Sequence, residues 1–146
     1  MTLGELADQY LGADKNDVAA IARKNFRWIA KTVGDAVGNE EAGICAAITI
    51  FSSFVTADGK LTEEEWAEFQ YIFQLDMGDD EQRALLAQCE EKSIFDFTKK
   101  TMRSFDDEMR KNIIVFGLAV CCIDDLFSDP EADYIHDLIK IRESMM

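Results

Sequence analysis

Apolar residues recur at helical spacing through almost the whole chain. From residue 16 to residue 37 they form one stripe, which includes Val18, Ile29 and Val37. The same spacing predicts a shorter helix over residues 3–11, closed by the glycine that follows it. Because no segment alternates apolar and polar residues long enough to form a convincing strand, the pattern predicts an all-α protein.

Two segments are apolar on almost every side, which predicts buried central helices. The first begins at Glu40 or Glu41 and runs to Ala57, and the second runs from Met109 to Ile123. A helix without a polar face is stable only when other helices surround it. Amphipathic helices are predicted to begin near Thr62, Asp79 or Asp80, Ser93 and Ser128.

The chain contains an internal repeat at an offset of 66 residues, which aligns residues 54–73 with residues 120–139. Each copy reads as a buried helix, an acidic turn with the spacing D-x6-E, and an amphipathic helix. The repeat predicts a helical bundle of about seven to eight helices, built on two hairpins related by a pseudo-twofold axis. The residues of the two motifs are Asp58, Glu65, Asp124 and Glu131.

These acidic turns resemble those of the TerB family, small all-helical domains encoded with tellurite-resistance genes, with relatives attached to DnaJ-like co-chaperones. The resemblance rests on ADGKLTEEE at the end of an apolar helix and on its echo half a chain later, and it covers roughly residues 41–141. It implies that Asp58, Glu65, Asp124 and Glu131 bind a divalent metal. The second copy departs from the pattern, because Asp125 replaces the glycine and Pro130 precedes the glutamate.

The repeat also divides the chain. We expect a single domain over residues 1–146, with the N-terminal helices in residues 1–40 and a TerB-like core in residues 41–146. The two repeats lie near residues 43–75 and 109–141.

Carboxylates in these turns suit a hard cation, so calcium or magnesium is favoured over zinc. Further carboxylates that could contribute more weakly are Glu63, Glu64, Asp125 and Asp129. An EF-hand register that puts Asp58 at loop position 5 leaves Phe54 and Thr56 where carboxylates are needed. A cation would therefore be bound weakly, with water or backbone carbonyls completing its shell.

The acidic turns also fit a purely structural interpretation. Thr62 with Glu65, and Ser128 with Glu131, have the spacing of helix capping boxes. In that interpretation the protein is a helical interaction or scaffold domain whose acidic surface docks a basic protein partner. Both interpretations stay open at the level of sequence.

Charge excludes some functions. The chain carries 15 basic and 29 acidic residues, a net charge of −14, whereas nucleic-acid binding is driven by lysine and arginine. The longest charge-free run, 15 residues, is shorter than the ~18 that a membrane span needs. With no basic segment at the N-terminus to suggest a secretory signal, we expect a cytoplasmic protein.

The helix at residues 15–37 is basic, unlike the rest of the chain. Its stripe of Arg23, Lys24, Arg27 and Lys31 is expected to be a solvated face, and contact with a membrane surface is the less favoured alternative.

Nothing in the sequence favours catalysis or a bound cofactor other than a divalent cation. The single histidine, His136, has no evident nucleophile to activate, and there is no glycine-rich phosphate loop. The cysteines are expected to be reduced and buried, since Cys121 and Cys122 are adjacent and no pair is spaced as CxxC.

Overall fold

Every regular element in the described part of the chain is an α-helix, as the sequence predicts. The computed structural model describes residues 3–55, 80, 94–122 and 129–145. The predicted helices that begin near Thr62 and near Asp79 or Asp80 lie almost entirely outside these residues, so the count of seven to eight helices and the pseudo-twofold relation stay predictions. The helices are α1 Leu3–Leu11, α2 Lys15–Val37, α3 Glu40–Val55, α4 Ile94–Ser104, α5 Asp107–Cys122 and α6 Asp129–Ser144.

Side chains and glycine set the boundaries of α2 and α3. The carboxylate of Asp14 accepts a hydrogen bond from the backbone N–H of Asn16 at 2.8 Å and caps the start of α2. Gly38 ends α2 in the left-handed conformation, with φ of 72°, which glycine adopts without steric cost. Asn39 then accepts from the N–H of Ala42 at 3.3 Å at the start of α3. The chain therefore reverses over two residues into a tight α2–α3 hairpin.

The predicted apolar stripe of α2 is confirmed except at its end. Val18 and Ile29 are buried, but Val37 is 59% exposed, and its predicted place in the buried stripe was wrong. The reason is local, because α2 ends at Val37 and the chain turns away at Gly38. The last residue of α2 therefore extends past the core against which the earlier turns of this helix pack.

Helices α3 and α5 supply the centre of the core, which confirms that both apolar segments are buried central helices. The ring of Phe116 on α5 lies 6.3 Å from that of Phe26 on α2, and 6.5 and 6.3 Å from those of Phe51 and Phe54 on α3. All four rings are buried. Offset and edge-on packing at such distances stabilises aromatic clusters beyond the area they bury.

The cysteines at the end of α5 belong to this core. Cys121 and Cys122 are both buried and free of disulfides, as predicted. Cys45 on α3 is also a free thiol, but it is only half-buried. Cys89 lies outside the described residues.

Backbone contact sets the spacing of α2 and α3. A Cβ built on Gly43 would overlap the carbonyl oxygen of Ala30 and would lie 2.7 Å from the backbone nitrogen of Gly34. Since real Cβ atoms do not approach backbone this closely, the hairpin requires glycine at position 43. The absence of a side chain there lets the two helices pack backbone against backbone.

A charged cluster joins α4, α5 and α6. Arg110 on α5 is buried, and its guanidinium donates to the carbonyl oxygens of Met102 at 3.2 Å and Phe105 at 2.7 Å, at the end of α4. Arg142 on α6 donates two hydrogen bonds, of 2.9 and 3.2 Å, to the carboxylate of Asp107. The hydrogen bonds from Arg142 hold the pKa of Asp107 below its usual value. This cluster fixes the last helix against the start of α5.

Candidate functional site

Two of the eight predicted metal ligands lie in the described part of the chain. Asp129 is exposed and Glu131 is half-buried, both in the first turn of α6. Carboxylates are favourable there, because the N-terminus of a helix carries partial positive charge. The other six lie outside the described residues: Asp58, Glu63, Glu64, Glu65, Asp124 and Asp125.

The proline that departs from the motif in the second repeat does not interrupt α6. Pro130 is the second residue of the helix, where a missing N–H removes no intrahelical hydrogen bond. Within the described ranges alone, no three histidine, cysteine or acidic side chains lie close enough together to hold a metal ion.

The two helices that lead into the acidic turns contact each other close to their ends. The ring of Phe54, one residue before the end of α3, lies against Gly117, five residues before the end of α5. With a rise of 1.5 Å per helical residue, the ends of α3 and α5 therefore lie within roughly 20 Å of each other.

A cluster of buried hydroxyl groups lies under the end of α3. Thr98 on α4 donates to the hydroxyl of Ser53 at 3.1 Å, and Ser53 donates to the carbonyl oxygen of Ile50 at 2.6 Å. Tyr134 on α6 packs between the rings of Phe54 and Phe95, at 5.3 and 5.2 Å. One feature of the sequence indicated this cluster: Ser52 and Ser53 are adjacent polar residues in the largely apolar helix α3.

Burial controls the ionisation of Tyr134. Desolvation raises its pKa to about 12, and the nearby hydroxyls of Ser53 and Thr98 oppose this rise only in part. The tyrosine hydroxyl makes no hydrogen bond of good geometry in the part of the chain that the structure describes. The neutral phenol is therefore strongly favoured over the phenolate.

An open groove of about 710 Å³ lies beside the α2–α3 hairpin, and we call it the hairpin groove. Its apolar lining comes from buried Phe26 and from half-buried Ala30 and Ile44. Exposed Arg27 and Lys31 line the same groove. The basic stripe was predicted from the sequence, but the groove was not, because it depends on how closely α3 packs against α2. The other described residues that line it are Gly34, Asp35, Gly38, Asn39 and Glu40.

His136, the only histidine, is exposed on α6. None of the described helices combines the length and the apolarity needed to cross a lipid bilayer.

Two central apolar helices, with flanking helices and acidic residues at the start of α6, define an acidic helical-bundle domain. The model of one protein family, described as tellurite resistance protein TerB, matches residues 45–143. The match spans well over half of the chain, so the chain belongs to the TerB family, and the predicted resemblance is confirmed. Comparison with curated proteins gave no match, and comparison with solved structures gave none either.

Proposed function

We propose that this protein is a non-enzymatic TerB-family module that binds calcium or magnesium through its two acidic turns and acts in a metal, oxyanion or general stress response. The proposed ligands are Asp58, Glu65, Asp124 and Glu131, with weaker contributions from Glu63, Glu64, Asp125 and Asp129. The observation that carries the proposal is the D-x6-E motif, present twice in register within a chain of this family. Carboxylate oxygens are the ligands that these hard cations prefer.

The ends of α3 and α5, which precede the two turns in the chain, lie within roughly 20 Å of each other. Asp58 lies three residues beyond the end of α3, and Asp124 lies two residues beyond the end of α5. Each residue of chain spans up to ~3.5 Å, so these distances are compatible with one shared site as well as with two. A shared site would give the cation more protein ligands than either turn supplies alone.

Glu131 could serve both as a helix cap and as a ligand. It lies in the first turn of α6, where a carboxylate favours the helix dipole whether or not a cation is present. For this reason the aspartates, which precede the predicted capping boxes in the sequence, are the residues to change, while Glu65 and Glu131 stay in place.

Thermal unfolding of chelator-treated protein, with and without millimolar calcium, magnesium, manganese or zinc, tests the proposal. A cation that binds only the folded state at 100 times its Kd stabilises it by ~2.7 kcal/mol. We expect calcium or magnesium to raise the Tm, and the Asp58→Asn, Asp124→Asn double variant to lose this rise. The matched control is Asp8→Asn with Asp35→Asn, which removes the same charge at two exposed positions elsewhere.

The alternative is a helical interaction domain whose acidic surface docks a basic protein, and the net charge of −14 favours it. The same experiment separates the two functions. If no cation raises the Tm, or if the double variant keeps the rise, the metal proposal is wrong for these residues. Docking of a basic partner would instead weaken steeply with added salt and would not depend on a cation.

A further inference from the structure

We propose that the hairpin groove binds an amphipathic helix of a partner protein, one that carries acidic residues one helical turn apart beside its apolar face. This inference does not depend on the proposed cation site, because neither Asp129 nor Glu131, the two proposed ligands among the described residues, lines the groove. It also differs from the docking of a basic partner, since it concerns a basic stretch of a strongly acidic chain.

The groove has the kind of lining that an amphipathic helix needs. It is open to solvent along one side of the hairpin and is apolar at Phe26, Ala30 and Ile44. An amphipathic helix binds such a groove by placing apolar side chains on the floor and polar ones at the rim. Val37, the last residue of α2 and 59% exposed, directly precedes Gly38, which lines the groove.

The charges along the groove are spaced for a helix. Arg27 and Lys31, both exposed, line the groove one helical turn apart, and exposed Lys24, three residues before Arg27, continues the row along α2. No carboxylate among the described residues lies within ion-pair distance of Arg27 or Lys31. Acidic residues at positions i and i+4 of a partner helix have the same one-turn spacing and would face these two bases.

The lining favours a helix over a small anionic ligand or an anionic membrane. A small anion could pair with Arg27 and Lys31, which lie one helical turn apart, but it would leave the apolar lining at Phe26, Ala30 and Ile44 uncovered. Asp35 and Glu40, both exposed, line the far end of the groove and would be repelled by an anionic lipid surface. Near these two acids, the partner helix should carry a basic residue or its positive N-terminus.

Selection from a phage-displayed library of amphipathic helices, with the flanking positions randomised, tests the proposal on the full chain. We expect the enriched peptides to carry acidic residues at i and i+4, and to lose about tenfold in affinity for the Arg27→Glu, Lys31→Glu variant. The control is Arg103→Glu with Lys140→Glu, which makes the same charge change at exposed positions of α4 and α6 and should bind as the unchanged protein does.

A charge-swapped peptide gives a second readout. The enriched peptide with lysines in place of its acidic residues should bind the Arg27→Glu, Lys31→Glu variant better than the unchanged protein. The proposal is overturned if no helix is enriched, if the enriched helices lack the acidic pair, or if both double variants bind alike. It is also overturned if the protein binds phosphatidylserine vesicles through Arg27 and Lys31 while no peptide binds there.

Discussion

The aromatic ring of Phe54 occupies the space that a side chain at Gly117 would need. A Cβ built on Gly117 would overlap Cε1 and Cζ of that ring, and Cδ1 lies 2.7 Å away. The ring cannot easily yield, because it is fully buried and packs edge-on against Phe116 at 6.3 Å. The contact of α3 with α5 therefore depends on the absence of a single methyl group.

Gly117→Ala should destabilise the fold by ~1–3 kcal/mol, since overpacking a tight core costs that much. The loss is expected although alanine favours a helix over glycine by ~1 kcal/mol. Urea unfolding measures it. The control is Gly12→Ala, where the nearest atom to an added Cβ is 3.4 Å away. Adding Phe54→Leu should make the loss at Gly117 smaller, and strict additivity of the two changes would contradict this account.

Gly43→Ala should be more damaging than Gly117→Ala. The added methyl group would meet backbone atoms of Ala30 and Gly34, which cannot move as a side chain can. We expect a loss of ~3 kcal/mol or more, with α2 and α3 forced apart. Gly34→Ala is the matched comparison, because its nearest contact is 3.3 Å, to the carbonyl oxygen of Asn39. Equal unfolding midpoints for the two variants would show that this backbone contact is not limiting.

Asp107→Asn should change how the Tm depends on pH. Hydrogen bonds from Arg142 lower the pKa of Asp107 in the folded protein. The stabilisation by ionised Asp107 is therefore complete above the pKa that this residue has in the unfolded chain, ~3.9. It is lost as the pH falls through the lower pKa of the folded protein. The variant should unfold at a lower Tm than the unchanged protein at pH 7, and the two should converge in strong acid. A Tm difference that stays constant from pH 7 to ~2 would contradict the prediction.

Tyr134→Phe should change stability little at neutral pH and raise it, relative to the unchanged protein, at alkaline pH. Near pH 7 its effect should stay within ~1 kcal/mol, because the hydroxyl makes no good hydrogen bond to the described residues. The folded pKa of about 12 exceeds the unfolded value of ~10, so the contribution of Tyr134 is complete below pH ~10 and falls as the pH rises toward 12. As the pH rises toward 12, the unchanged protein should therefore lose up to ~3 kcal/mol of unfolding free energy, which the variant keeps. Unfolding in urea between pH 7 and ~11.5 measures both effects.

Most of the described fold could be predicted because it depends on local patterns. Helical spacing alone locates α2 to within one residue, and the apolar runs identify both central helices. Val37 was misplaced because periodicity does not show where the surrounding core ends. The last apolar position of a helix belongs to the core only if another element extends that far.

The candidate sites were less accessible to sequence reasoning. The acidic motifs and the basic stripe are visible as residue types at fixed spacings, and Glu131 lies at a helix start as its capping pattern suggests. The hairpin groove and the hydroxyl cluster at Tyr134 depend on distances between helices, which no single segment encodes. Gly43 was the nearest available signal, since a glycine inside an apolar helix often marks a close backbone approach.

The backbone contact at Gly43 has a consequence for how the hairpin groove would select its partner. With no side chains to compress between the two helices at that point, α2 and α3 cannot draw closer, and separating them would leave an unfilled gap. The width of the groove is therefore fixed, and any change of conformation on binding must occur in the partner. Most of the conformational entropy lost on binding would then come from a partner segment that folds into a helix as it binds. Selectivity among partners would depend on how readily each segment forms that helix.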